Sequence, residues 1–172
     1  MISVALISKI DEQIERTVHL TRLVTAVQLS WRPPIPDAWS VGEVLGHLLD
    51  CMAGFCAVLY AAYPDGLQHF ADLRQLPVNN SCGPDEANDR INLYRRHLDQ
   101  GFALLTDSDL ERRLPTVFVP DGETIMTLLL GNLEHLTNHK HQLFMYLRLM
   151  SVNVSSVDLY RLRGDSSQRA AE

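Results

Sequence analysis

Residues 134–150 read EHLTNHKHQLFMYLRLM, and the periodicity of this stretch decides the fold. An α-helix advances about 100° per residue, so His139 lies about 40° around from His135 and about 6 Å along the axis. On the same count Leu128, Asn132, Gln142 and Tyr146 fall within about 60° of His135. That face reads Leu, Asn, His, His, Gln, Tyr. Its flanks, Leu129, Leu133, Leu136 and Leu143, are too apolar for a helix lying alone on a surface, so they predict packing inside a bundle. Polar groups pointing into such a core are costly unless something satisfies them. His141 sits about 160° from His139 and cannot share its site, so it reads as a surface or interface histidine.

Three further segments carry a helical period. Ile7, Ile10, Ile14, Val18, Thr21, Val24 and Gln28 follow spacings of three and four, which predicts a helix over roughly residues 4–30. The run RPPIPDAW breaks it, since proline lacks a donor and favours extended chain before it. The second helix begins in WSVGEVLGHLLDCMAGF, where Ser40 and Glu43 have capping-box spacing, and ends near Tyr63 at YPDG. Residues 65–81 read as a long connection with one short helical turn. SCGPDEA starts the third helix with Pro84 in its first turn, and Ala87, Ile91, Tyr94, Leu98, Gly101, Phe102 and Leu105 mark its buried stripe. LPTVFVPDGET is an extended link whose one candidate strand, Thr116–Val119, is too isolated to build a sheet. The fourth helix covers about 124–150, and SVNVSSVDLYRLRGDSSQRAAE after it reads as a polar, irregular tail. The expectation is an all-α four-helix bundle with a long crossover connection, a single domain over residues 1–150 and a tail over 151–172.

Bulk properties narrow the function. A chain of 172 residues, 46% hydrophobic and 21% charged, is long enough for one well-buried core and has the composition of a soluble protein. Its formal charge of -6 opposes nucleic-acid binding, and Arg95–Arg96 and Arg112–Arg113 are too sparse for a basic patch. The N-terminal MISVALISKIDEQIER lacks the basic leader of a signal peptide, and no apolar stretch reads as reaching the roughly 18–20 residues that span a bilayer. Cys51, Cys56 and Cys82 are odd in number and form no CxxC pair, which fits a reducing cytoplasm. Cys51 and Cys56 fall in an apolar helix and read as buried, inert thiols.

The histidine face needs a ligand from another helix, and His47 in VGEVLGHLLDCM is the candidate, with Gly46 beside it and Asp50 one turn on. A lone histidine on an apolar helix usually reads as a hydrogen-bonded core residue. Together with the His135–His139 pair, in a chain that folds as a bundle, it points to a shared metal site. Three neutral imidazoles leave a divalent ion with open positions, the pattern of a catalytic centre, and nitrogen donors favour zinc, nickel or iron over magnesium or calcium. Such a site lowers the pKa of a bound thiol or water. Asp50, Asn132, Gln142 and Tyr146 are candidates to line the pocket or to hold the ligating rings. No residue stands out as a general base.

The segments WSVGEVLGHLLD and HLTNHKHQLFMYLRLM, with W-S-x-x-E-x-x-x-H on the second helix and H-x-x-x-H on the fourth, resemble the DinB/YfiT-like superfamily of metal-binding four-helix proteins. DLYRLRGD resembles the family's tail motif. The resemblance implies that His47, His135 and His139 are the three metal ligands and that the chain pairs as a homodimer. It also implies an activity of the kind some members have, joining a low-molecular-weight thiol to an electrophile or isomerising a substrate with such a thiol. His139-Lys140-His141-Gln142 stands where the family often has H-R-G-Q, and Ser151 and Ser155 stand where Gly and Pro are common. No ligand is lost by these departures. The leading expectation is a metal-dependent thiol transferase acting on a small-molecule substrate. A hydrolase with the same ligands is the alternative, as is a non-catalytic metal- or small-molecule-binding stress-response module. An open position facing a cleft favours an enzyme, and a fourth protein ligand favours a structural ion.

Overall fold

Local signals in the chain fix where the long helices start. Ser40 Oγ accepts the Glu43 N–H at 3.2 Å while the Glu43 carboxylate accepts the Ser40 N–H at 2.6 Å, a reciprocal cap that opens α2 (Val41–Ala62). α4 (Pro84–Leu104) starts with proline in its first turn and with Asp85 and Glu86 at its positive dipole end. α5 (Ile125–Leu149) is capped by Thr124, whose hydroxyl accepts from the Thr127 N–H at 3.1 Å. With α1 (Ile2–Thr21) these helices form a four-helix bundle, joined by short α3 (Phe70–Leu73) in the crossover and followed by α6 (Ser156–Tyr160). The computed structural model describes residues 2–116 and 119–160.

α2 lies at the centre, packed on both α4 and α5, and α1 completes the bundle against the same two helices. Its core side chains, among them Leu45, Leu48, Leu49, Met52 and Phe55, are fully buried. By length and composition α2 is apolar enough to cross a membrane, contrary to the sequence expectation that no stretch would be. The same apolarity is what a central bundle helix needs, since it meets neighbours on several sides. The predicted stripe on α4 is buried in full from Ala87 to Leu105. Cys51, Cys56 and Cys82 are free and buried, and burial pushes their thiols up to about 12, 12 and 11, which leaves them unreactive.

Three boundaries differ from the sequence reading. α1 stops at Thr21 rather than near residue 30, and Ala26–Gln28 forms a separate 3-10 turn. The Thr17 and Thr21 hydroxyls bond back to the Gln13 and Thr17 carbonyls at 2.8 and 2.9 Å. Extended Thr25 then begins the new turn, its N–H donating to Gln28 Oε1. Val24 stays buried, so the apolar period outlasts the helix. The link before α5 pairs Arg113 with Thr124 and Leu114 with Glu123 as an antiparallel ladder, β1 (Arg113–Leu114) and β2 (Glu123–Thr124). The strand expected at Thr116–Val119 falls partly on residues 117–118, which lie outside the described residues, and the observed pairing flanks it. Finally, α6 stands where irregular chain was expected. It is held by Arg16 donating to the Tyr160 carbonyl at 2.9 Å and by His19 meeting Asp158 at 2.8 Å. Most of DLYRLRGD lies beyond residue 160, outside the described residues.

Candidate metal centre

α2 and α5 cross closely because small residues let them. A side-chain carbon added at Gly54 would lie 2.2 Å from Asn132 Oδ1, so glycine there admits α5 against α2. Asn132 itself turns back to its own helix, donating to the Leu128 carbonyl at 2.9 Å. Two turns before Gly54, His47 of α2 meets His135 and His139 of α5, which follow Asn132 by about one and two turns. Ring centroids are 4.9 Å apart for His47–His135, 4.2 Å for His47–His139 and 4.9 Å for His135–His139. One nitrogen from each ring can be chosen so that all three lie within 4.8 Å of one another. His47 Nε2 and His135 Nε2 are only 2.9 Å apart.

The outer nitrogens of two rings are fixed. His139 Nδ1 donates to Gln142 Oε1 at 2.8 Å, and Gln142 Nε2 donates in turn to the Tyr146 hydroxyl at 3.1 Å. His47 Nδ1 donates to Asn79 Oδ1. A proton on each Nδ1 leaves the Nε2 lone pair free to point inward. His47 Nε2 and His135 Nε2, 2.9 Å apart, require a proton or a cation between them. For an ion with bonds of about 2.0–2.1 Å, neighbouring nitrogen ligands sit roughly 3 Å apart, so the spacing fits a divalent ion. Burial lowers the pKa of both His135 and His139. Neighbouring His47 adds to this in each case, while Asp50 opposes it at His135 and the Gln142 hydrogen bond opposes it at His139. Both rings are therefore held neutral, the form that ligates.

Asn79 was not visible from the sequence. It stands at φ 62°, in the left-handed region that asparagine tolerates better than most residues. Its approach depends on Gly46, where an added carbon would lie 1.8 Å from the Asn80 carbonyl oxygen. The Asn79 N–H bonds the Gly46 carbonyl at 3.1 Å and the Cys82 N–H bonds that of Gly42 at 3.2 Å, so the crossover is laid along α2. Only the glycines at 42 and 46, one helical turn apart, hint at that contact. Trp39 was also missed as a site residue. Its ring stacks on His139 with centroids 5.6 Å apart and tilts against His47 at 4.6 Å.

Two clefts reach the centre. One of about 530 Å3 is lined by Trp39, His139, Gln142, Met145 and Tyr146. Another of about 390 Å3 is lined by Trp39, Glu43, His47 and Asn79. Among the described residues no fourth histidine, cysteine or carboxylate joins the three rings. Of the candidate neighbours, Gln142 and Tyr146 form a chain to His139, whereas Asn132 spends its amide N–H on the Leu128 carbonyl. Asp50 acts on His135 only through its charge and lines a different cavity. His141 is exposed, as its angular position requires.

Residues 9–143 match the family model described as the DinB superfamily. A DinB-like protein from Bacillus subtilis superposes with a TM-score of 0.63 at 21% identity, over 86% of this chain and 92% of that one. A DinB-family protein from Exiguobacterium sibiricum gives 0.61 at 24% identity, over 92% and 97%. At these identities the likeness concerns the fold. No curated protein matches the chain significantly.

Proposed function

The chain belongs to the DinB superfamily, and on that premise we propose that it is a metal-dependent enzyme that joins a low-molecular-weight thiol to an electrophilic substrate. The ion is held by His47, His135 and His139. The observation that carries this reading is three converging imidazoles, two of which, His47 and His139, each line an open cleft, with no fourth histidine, cysteine or carboxylate to close the set among the described residues. A structural ion would call for that fourth ligand.

When bound, a divalent ion with nitrogen ligands supplies Lewis acidity that keeps a thiol in its reactive, deprotonated form near neutral pH. The chain's own groups do the rest. Asn79 and Gln142 hold the outer ring nitrogens and so fix which lone pairs face inward. Trp39 packs against His47 and His139 and forms a wall shared by the two clefts. Tyr146 oxygen accepts from Gln142, which leaves its own O–H free to donate to a polar atom of a molecule in the larger cleft.

Elemental analysis of protein purified from its native host tests the ligand set, with one equivalent of zinc, nickel or iron per chain expected. A panel of low-molecular-weight thiols with 1-chloro-2,4-dinitrobenzene as electrophile tests the reaction. Chelation and His135→Ala are each expected to abolish turnover. Metal content and turnover that both survive His135→Ala would overturn the assignment.

A further inference from the structure

Apart from the metal centre, a cavity of about 360 Å3 lies between α2, α4 and the crossover. Ala53 and Ala57, one turn apart on α2, leave the space, and Tyr60, Phe70, Leu73 and Tyr94 supply apolar walls. The Tyr60 and Phe70 rings stand 5.4 Å apart, tilted at 41°. The volume is within the usual range for small-molecule sites, on the order of 300–1,000 Å3. Two charged side chains share this lining, Asp50 from α2 and Arg74 at the end of α3. Neither has a hydrogen-bond or ion-pair partner among the described residues. Elsewhere in the molecule some acids and bases pair, Arg95 with Glu15 and Arg112 with Asp109, each at 3.0 Å.

We propose that this cavity binds a small zwitterion with an apolar, ring-sized middle, its ammonium meeting Asp50 and its carboxylate meeting Arg74. A neutral apolar occupant would strip water from the half-buried Asp50 carboxylate and return nothing. A simple anion would pair with Arg74 but confront Asp50, and a simple cation would do the reverse. A molecule carrying both charges satisfies both walls, and the planar guanidinium of Arg74 suits a carboxylate in two-point contact. An aromatic spacer fills the gap between Tyr60, Phe70 and Tyr94. The site does not require an ion at the histidines.

Calorimetric titration of the full chain, with and without chelator, tests this with 4-(aminomethyl)benzoate and its two halves, benzylamine and 4-methylbenzoate. The zwitterion is expected to bind about tenfold or more tightly than either half. Arg74→Gln is expected to weaken the zwitterion and 4-methylbenzoate but not benzylamine. Asp50→Asn is expected to weaken the zwitterion and benzylamine but not 4-methylbenzoate. Ala57→Leu, which fills the cavity without touching either charge, is expected to abolish all three. Circular dichroism melts confirm that each variant is folded, and Arg74, being exposed, serves as the control least able to disturb the core. No binding by the zwitterion, equal binding by all three probes, or a preference unchanged by Arg74→Gln would each overturn the proposal.

Discussion

His47 Nε2 and His135 Nε2 face each other across the α2–α5 interface at 2.9 Å, beside fully buried Leu48 and Leu136. Because His47 gives its Nδ1 proton to Asn79, its inner nitrogen presents a lone pair. Two helices are thus held together at a point where a cation would bind both. Added zinc or nickel is expected to raise the melting temperature of chelator-treated protein. At a thousandfold excess over the dissociation constant the gain is about 4 kcal/mol. For a chain of this size that corresponds to roughly 10 °C. Scanning fluorimetry measures it, and a His135→Ala protein that shows the same rise would place the ion elsewhere.

Asn79 should matter to the ion without touching it. Asn79→Ala removes the acceptor of His47 Nδ1, and losses of this kind cost about 10- to 100-fold in metal affinity. Gly46→Ala should go further, because its new carbon collides with the Asn80 backbone and pushes the crossover off α2. We expect it to lose both affinity and about 1–3 kcal/mol of stability. Competition against a chromophoric chelator, paired with urea unfolding, separates the two effects. Unchanged affinity in Asn79→Ala would show that the ring needs no such support.

The helices and the histidine face were legible because they depend on periods that the sequence carries openly. His135 and His139 recur at the helical spacing, and Ser40 and Glu43 announce the start of the helix that brings His47. Asn79 was hidden because its role depends on a backbone contact distant in sequence, allowed by Gly46. The end of α1 was hidden because Val24 remains buried after the helix has stopped. α6 was hidden because five residues are too few to show a period. Its position depends on groups from α1 and α5 that only the folded chain assembles.

His69 and His97 stack with ring centroids 4.2 Å apart, next to Cys56, and tie the crossover to α4. One buried nitrogen on each ring lacks a hydrogen-bond partner. Burial first, then His69 and Arg96, lowers the His97 pKa from its usual 6.5. The unfolded chain therefore takes up protons sooner on acidification. The stability contributed by neutral His97 is full above about 6.5 and is lost as pH falls through the folded pKa. His97→Leu is expected to reduce the loss of stability between about pH 6.5 and 5 and to be neutral or slightly stabilising at about pH 8, since the orphaned nitrogen disappears. Urea midpoints measured across that range decide it. Parallel curves for the two proteins would assign the acid sensitivity to His135 and His139 instead.

α6 should act as a clasp on the bundle rather than as loose chain. Leu159 is 4% exposed, so its side chain is part of the core. Around it, Lys140 Nζ donates to Gln13 Oε1 at 2.7 Å and to the Leu159 carbonyl at 3.4 Å. Burial lowers this lysine to about 8. A charge drawn so far from water is tolerated only while those acceptors stay in place. Leu159→Ala is expected to cost about 2–5 kcal/mol, the range for a buried leucine. It is also expected to admit water to Lys140, raising its pKa toward the ordinary 10.5. Urea unfolding reads the first effect and 15N-lysine NMR titration the second. A variant that loses the leucine yet keeps Lys140 near its lowered value would show that α5 and α1 bury the lysine without help from the clasp.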